Sequence, residues 1–202
     1  MKKYKHYYLT SESVTEGHPD KVADLISDSI LDACLEQDRN SRVAVETMLS
    51  NNRVAVAGQI TSNAIIDIED IVRKTLKQVD YTDKEVNMDY RTCVVDVNIT
   101  KQSNDIAMGV NTGGAGDQGI MFGYATNENE EYMPSAISFA NKLALRLTTV
   151  RKNKEIIGIL PDGKTQVTIE YQDDVPKRVD TIIIACQHKE NIDKEYMEKA
   201  II

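Results

Sequence analysis

Residues 19–35, PDKVADLISDSILDACL, predict the first helix of the chain and begin the pattern of helices and strands from which we infer the fold. Pro19 suits the first position of a helix, where its missing N–H costs nothing. Apolar residues then recur at the spacing of one helix face, at Val22, Ile26, Ile30 and Ala33. Carboxylates at four-residue intervals predict a solvated face of the same helix: Asp24, Asp28 and Asp32.

A hairpin, a second helix and a strand are predicted to follow. Strand-like runs at 42–49 and 53–60 are joined by Asn51-Asn52, which is typical of a hairpin turn. Residues 65–79 carry apolar side chains at helical spacing, and 92–99 form another strand-like run. The predicted order is helix, hairpin, helix, strand.

The second half of the chain repeats this order. A strand-like run at 120–126 precedes a helix at about 134–150. Runs at 164–171 and 178–186 form a second strand pair, and 193–202 has a helical pattern. The strand expected after this last helix is absent, so we expect an unpaired sheet edge and a need for cover by another chain.

These patterns predict an α+β fold of repeated helix–hairpin–helix–strand units, with mixed sheets covered by helices. The first unit would occupy residues 1–105, and a second, incomplete unit would occupy 106–202. A chance alternation of helices and strands is the alternative, because the two halves correspond in pattern and not in residue identity.

Charge and cysteine content narrow the range of partners and locations. The net charge of -8 argues against broad electrostatic binding to nucleic acid or to a membrane, so neither is an expected partner. An acidic protein that binds a polyphosphate needs a local basic cluster or metal ions. The three cysteines show neither zinc-ligand spacing nor a disulfide framework, which favours a cytoplasmic location.

Residues 11–21, SESVTEGHPDK, form the first candidate site. They place the His18 imidazole, the Asp20 carboxylate and the Lys21 ammonium beside a helix amino terminus, whose free N–H groups suit phosphate. Asp20 could hold a magnesium ion, which commonly bridges one or two carboxylates to substrate phosphates. The alternative is ordinary helix capping with an acidic first turn.

A glycine-rich segment forms the second candidate site. Residues 113–119 read GGAGDQG, and glycines allow the backbone to approach a ligand closely. The segment is not a Walker loop, because no Gly-Lys-Ser/Thr follows. Composition alone leaves a binding loop and a flexible loop equally open.

Other polar positions have a plain structural interpretation beside a functional one. Pro161-Asp162-Gly163-Lys164 predicts a β-turn, since Pro, Asp and Gly are the usual turn residues. Glu46 and Gln59 lie on the two strands of the first hairpin, where polar residues are ordinary. Gln102 follows a strand end and could contact a ligand or simply turn the chain.

Three segments together resemble one family, the methionine adenosyltransferases or S-adenosylmethionine synthetases. Residues 10–21 resemble the family's opening signature, and 114–124, GAGDQGIMFGY, is similar to its central signature. Asp162, Lys164 and the strand 166–168 fit a third segment in the right order. The resemblance covers essentially the whole chain, but only the amino-terminal half of the family's length, so the family's third repeat is missing.

The resemblance implies a reaction in which the methionine sulfur attacks the ribose 5′ carbon of ATP and displaces the triphosphate. The triphosphate is then hydrolysed to pyrophosphate and phosphate. ATP and methionine are thus the implied substrates, and Mg²⁺ and K⁺ the implied cofactors. No covalent enzyme intermediate is needed, so positioning and charge stabilisation supply most of the catalysis.

The resemblance also implies roles for individual residues. His18 and Lys164 would be catalytic and, with Asp162, would bind ATP. Asp20 would bind magnesium, and Glu46 would bind potassium. Residues that would place methionine are Gln59, Gln102 and Asp117, with a gating loop after Gln102.

This sequence departs from the family pattern in three ways. Gln59 stands where the family normally has Glu facing the methionine ammonium, and the loop at 105–113 is shorter than in typical bacterial members. The absent third repeat would carry basic ligands for ATP and phosphate. The leading hypothesis is therefore a half-subunit of a split adenosyltransferase, or a fragment of a whole one.

The expected partner is a second copy in a homo-dimer, or a chain with the missing carboxy-terminal half in a hetero-oligomer. Family active sites lie between subunits of a face-to-face sheet dimer. The alternative function is a non-catalytic homologue that binds and regulates a complete adenosyltransferase. A simple nucleotide-binding module is a third possibility.

Overall fold

A computed structural model of the protein describes residues 5–82, 87–101 and 119–202. Within these residues the fold is α+β, as predicted, with two three-stranded sheets and four helices. The strands are β1 (His6–Val14), β2 (Arg42–Ser50), β3 (Arg53–Thr61), β4 (Val94–Thr100), β5 (Ile159–Gln172) and β6 (Val175–His188). The helices are α1 (Pro19–Gln37), α2 (Ile68–Gln78), α3 (Ser135–Lys152) and α4 (Lys194–Ile201).

The chain divides into two compact units, named here after their central strands. The β3 unit consists of Val22–Gly123, and the β5 unit consists of the residues up to Lys21 together with Tyr124–Ile202. No helix within the described residues is both long enough and apolar enough to span a membrane.

The β3 unit contains the predicted hairpin. β2 pairs antiparallel with β3, and β4 pairs parallel with the other edge of β3. Asn51 and Asn52 both have positive φ, 46° and 57°, as a two-residue hairpin turn requires. The helices cover one face of this sheet, where the fully buried side chains include Val22, Ile26, Ile30 and Val54.

The polar side of α1 also follows the prediction. Asp24, Asp28 and Asp32 are exposed along the helix, so they form the solvated face that their spacing indicated. The fourth buried position of the apolar stripe is Cys34 rather than Ala33.

The β5 unit is an antiparallel sheet in the order β1-β5-β6, with α3 packed on one face. Ala136 and Ala140 of α3 pack against Val167, Ile169 and Tyr171 of β5. The buried hydroxyl of Thr165 donates to the Ala140 carbonyl at 2.7 Å and fixes that face of β5 toward the helix.

Strand β1 was not predicted. Its residues are mostly polar and only partly buried, so the run lacks the apolar alternation that indicates a strand. Pairing with β5, 150 to 166 positions away along the chain, gives the segment its extended form. The chain's first strand therefore belongs to the sheet of the β5 unit.

Two predicted elements are wrong. Residues 161–164 do not form a turn but lie inside β5, in a stretch where the β5–β6 ladder is irregular between Ile159 and Gly163. Such irregularities accommodate a proline that has no N–H to donate. The run at 120–126 is not a strand, and Phe122 at its centre is 92% exposed.

Candidate functional site

The structure brings the segment around His18 together with the segment around Asp162. The Thr15 N–H donates to the Gly163 carbonyl at 2.9 Å, and the Thr15 hydroxyl donates to the Pro161 carbonyl at 2.7 Å. Thr15 is buried, so these bonds lie away from water. Two of the three sequence signatures are therefore in direct contact within the β5 unit.

A tight turn carries the chain from the end of β1 into α1. The His18 N–H donates to the Thr15 carbonyl at 3.1 Å, and α1 begins at the next residue. Gly17 is necessary here, because a Cβ at this position would lie 2.3 Å from the Pro161 Cβ. The close approach of the two backbones explains the glycine before His18.

The His18 imidazole is largely enclosed, with 15% of its side chain exposed. The Asp20 N–H donates to its Nδ1 at 3.2 Å. The Asp20 carboxylate lies 3.9 Å from the same nitrogen, which is too long for a hydrogen bond. In the neutral ring this geometry assigns the proton to Nε2, which leaves Nε2–H available as a donor toward a ligand.

The other polar groups of the first signature are arranged differently. The Lys21 ammonium donates to the Val14 carbonyl at 3.0 Å, so it contacts the end of β1. The Asp20 side chain is 93% exposed in the first turn of α1. Asp20 therefore presents its oxygens to solvent beside the helix amino terminus.

Asp162 and Lys164 alternate with residues that face α3. Gly163 and Thr165 are buried, so Asp162 and Lys164 point to the opposite face of β5. Lys164 is exposed there, and it lies between Val14 of β1 and Ala185 of β6.

The thiol of Cys186 lies close to this stretch of β5. Burial raises the pKa of Cys186 to about 11, and the negative charge of Asp162 adds to the rise. The Arg151 guanidinium has the opposite effect on the pKa of this thiol. Cys34, Cys93 and Cys186 are all free, in agreement with the absence of a disulfide pattern.

Sequence patterns do not indicate the contact between Glu16 and the end of α3. The Glu16 carboxylate binds Arg151 at 2.5 Å and Lys152 at 2.9 Å, both in the last turn of α3. Neither basic residue stands out in the sequence, because basic residues are common at helix carboxyl ends. The contact spans 135 positions, so no local pattern could have indicated it.

Glu46 and Gln59 lie in the β3 unit, on the sheet face opposite its helices. Glu46 is exposed and pairs across from Ala57, while Gln59 is half-buried and pairs across from Ala44. Gly58 precedes Gln59 with φ of 151°, and a Cβ there would lie 2.1 Å from the Ala44 carbonyl oxygen. The strand therefore requires glycine beside Gln59.

The remaining predicted methionine contacts, Gln102 and Asp117, lie outside the described residues. The same holds for the predicted gating loop at 105–113 and for most of the glycine-rich segment. The last part of the central signature, 119–124, is exposed.

The donor atoms present suit the implied cations only in part. Across residues 5–82, 87–101 and 119–202, no group of three or more His, Cys, Asp or Glu side chains could enclose a metal ion. Asp20 and Glu46 each offer one exposed carboxylate. The Asp20 carboxylate fits a magnesium ion that takes its other ligands from phosphate and water.

Both halves of the chain match domains of the same protein family. Residues 6–104 match the family model for the S-adenosylmethionine synthetase N-terminal domain, and 111–202 match that for its central domain. The chain is 50% identical over 203 residues to an S-adenosylmethionine synthase of Desulfosudis oleivorans, covering 97% of this chain and 52% of the relative.

Two further relatives have the same name. The identity is 51% over 207 residues to the S-adenosylmethionine synthase of Clostridium tetani, covering 96% of this chain and 53% of the relative. It is 47% over 214 residues to that of Brachyspira hyodysenteriae, covering 100% of this chain and 54% of the relative. The chain thus spans about half the length of the curated relatives it matches.

Proposed function

Since this chain belongs to the S-adenosylmethionine synthetase family, we propose that it supplies catalytic residues for the synthesis of S-adenosylmethionine from ATP and methionine. The sulfur lone pair forms a bond to the 5′ carbon while the bond from that carbon to oxygen breaks. The triphosphate leaves with the electron pair, and water then divides it into phosphate and pyrophosphate.

The observation that carries the proposal is the contact between the His18 turn and the Asp162–Lys164 stretch of β5. Hydrogen bonds from Thr15 to Gly163 and Pro161 hold the two segments side by side. A binding site for a triphosphate needs donors and a positive charge close together. The Nε2–H of His18 and the Lys164 ammonium are groups of this kind.

Each group has a role in this reaction. His18 would donate from Nε2 to the triphosphate near the breaking bond and stabilise the charge that develops there. Lys164 would lie near the leaving oxygen, and Asp162 would help to hold ATP. Since no proton has to leave the sulfur, the site needs no strong base at the reacting carbon.

Asp20 would hold magnesium at the triphosphate, and Glu46 would hold potassium. Bound magnesium supplies positive charge to the phosphate oxygens. The chain itself has a net charge of -8 and offers no overall positive charge to a triphosphate. The 93% exposure of the Asp20 side chain supports this role, because its oxygens are accessible to a hydrated ion.

Methionine would be placed by Gln59, Gln102 and Asp117. Gln59 would face the methionine ammonium with its amide oxygen, in place of the carboxylate that is usual in the family. Its half-buried position on the open face of the β3-unit sheet supports a contact with a ligand.

The proposed reaction also requires polypeptide beyond these 202 residues, as a second copy or as the half of the relatives that this chain does not span. The open face of the β3-unit sheet supports an interface with another chain. Ala44, Ala55 and Ala57 place only small side chains on it, and the neighbouring Met48 side chain is 67% exposed.

The alternative is a non-catalytic homologue that binds and regulates a complete adenosyltransferase. Gln59 favours this alternative, because a carboxylate that would bind substrate is replaced. The combination of His18, Asp20 and Lys164 favours catalysis, because a protein that only binds another subunit does not need it.

A chimaera would test the proposal. In it, this chain replaces the matching half of the Desulfosudis oleivorans relative, and product formation is measured with ATP, methionine, magnesium and potassium. Lys164→Ala should reduce kcat by roughly 100-fold, since it removes a group that stabilises leaving-group charge. Lys177→Ala removes an exposed lysine of β6 and should have little effect. Equal activity of the two variants would refute the role of Lys164.

A further inference from the structure

We propose that Glu16 is a positioning residue, which fixes the orientation of His18 by binding the end of α3. The inference deepens the proposed function, since it assigns a residue that acts through the His18 turn. Its first test measures the His18 ring directly, so the inference can fail or succeed independently of adenosyl transfer.

The contact between Glu16 and α3 uses both carboxylate oxygens. Arg151 Nη2 lies 2.5 Å from Oε1, and Lys152 Nζ lies 2.9 Å from Oε2. The Arg151 side chain is only 8% exposed, and that of Glu16 is 28% exposed. Charge-assisted bonds in such a partly dry setting are stronger and more rigid than bonds between exposed side chains.

The turn is held from two sides. On one side, Thr15 bonds to Pro161 and Gly163, and Gly17 packs directly on Pro161. On the other side, Glu16 bonds to Arg151 and Lys152. Glu16 lies between Thr15 and Gly17 in the turn. Its side chain therefore fixes the rotation of the backbone that leads to His18.

The two cations stabilise the end of α3 even without this carboxylate. Arg151 and Lys152 lie in the last turn of α3, where cations already interact favourably with the helix dipole. Glu155 also binds α3 near this end, through Arg146 at 2.7 Å. Of these two carboxylates, only Glu16 connects α3 to the His18 turn.

The direct test is NMR of the histidine side chains in the chain itself, at one pH and well below the melting temperature. The sequence has three histidines, His6, His18 and His188, so the two others serve as internal references. In Glu16→Gln we expect the His18 ring signals to move or broaden, while the signals of His6 and His188 keep their positions.

Glu155→Gln is the matched control. It also removes a carboxylate that binds an arginine of α3, but Glu155 makes no described contact with residues 15–18. All three histidine signals should remain unchanged.

Lys152→Met is the milder variant in case Glu16→Gln does not fold, because it leaves the bond between Arg151 and Glu16 in place. We expect a smaller shift of the His18 signals.

Kinetics in the chimaera complete the test. Misplacement of a catalytic group by about 1 Å can reduce the rate on the order of 100-fold. Glu16→Gln should therefore lower kcat by roughly 10- to 100-fold with little change in the methionine KM. Unchanged His18 signals in a folded Glu16→Gln chain would overturn the inference. Shifted His18 signals with no product from the unmodified chimaera would instead contradict the proposed function alone.

Discussion

The Thr15 hydroxyl donates a 2.7 Å hydrogen bond to the Pro161 carbonyl, although the two residues are 146 positions apart in the sequence. Both atoms are buried, so water cannot replace the bond. The same residue bonds through its N–H to Gly163. The amino-terminal turn and the start of β5 therefore depend on each other for their conformation, and so does the site that they form.

Thr15→Val should destabilise the chain by about 1–3 kcal/mol, because it leaves the buried Pro161 carbonyl with one partner fewer. Urea unfolding of the purified chain measures this directly. Thr10→Val is the control, since the Thr10 hydroxyl bonds to Thr168 at an exposed position on the same pair of strands. Its effect should stay within about 0.5 kcal/mol. Equal effects of the two substitutions would show that the bond to Pro161 has no special importance.

Asp20→Asn should raise the magnesium concentration needed for half-maximal product formation in the chimaera by roughly 10- to 100-fold, because a charged ligand becomes neutral. The fold should be retained, since Asn is tolerated in the first turn of a helix. Asp24→Asn, one turn further along the exposed face of α1, serves as the control. If both variants keep the magnesium dependence of the parent, Asp20 does not bind the ion.

Gln59→Glu should lower the methionine KM of the chimaera roughly 5- to 100-fold with little change in kcat. A carboxylate facing the ammonium adds a charge-assisted bond worth about 1–3 kcal/mol. Asn98→Asp places the same charge change on β4 of the same sheet and should leave KM unchanged. A KM that stays constant or rises in Gln59→Glu would remove Gln59 from the methionine site.

Glu128 should make the stability of the β5 unit depend on pH. Burial disfavours its ionised form, but hydrogen bonds from Tyr171 at 2.6 Å and from the Ser135 N–H at 2.9 Å outweigh this, and the pKa of Glu128 is lowered. A lowered pKa adds stability above the unfolded-state pKa of about 4.3, and this stability is lost as the pH falls through the folded-state pKa.

Glu128→Gln should therefore be less stable than the parent by about 1 kcal/mol at neutral pH, and the difference should shrink as the pH falls below about 4. Urea unfolding at about pH 7 and about pH 3.5 measures the difference. Glu130→Gln alters an exposed neighbour and should give no difference at either pH. A stability difference between Glu128→Gln and the parent that grows on acidification would contradict a lowered pKa of Glu128.

Much of the fold could be predicted because its helices carry regular apolar stripes. Val22, Ile26 and Ile30 indicate α1 and are fully buried, and the Asn51-Asn52 turn has the predicted left-handed conformation. These features depend on residues that are close together in the sequence. Local spacing is therefore sufficient to predict them.

The elements that were missed depend on distant pairing. β1 has a polar sequence and becomes a strand because β5 pairs with it, and Pro161-Asp162-Gly163 is extended because Thr15 bonds to it and β6 pairs with it at Gly163. Conversely, Ile120 and Phe122 have strand-like character but are exposed and have no strand pairing in the described part of the chain. Side-chain propensity alone does not determine such positions.

In the candidate site, too, some features follow from local sequence and others depend on distant contacts. His18, Asp162 and Lys164 could be proposed from motifs, because each lies within a short segment of distinctive sequence. The contact of the His18 turn with Pro161 and Gly163, and the Glu16 bonds to Arg151 and Lys152, required the tertiary structure.

We propose that this chain supplies catalytic residues only together with further polypeptide. The most direct measurement compares S-adenosylmethionine formation by the purified chain and by the chimaera under identical conditions. We expect product from the chimaera, its loss in the chimaera with His18→Ala, and little or no product from the chain alone. A folded chimaera without activity would contradict the catalytic role, and full turnover by the 202-residue chain alone would contradict the requirement for a further polypeptide.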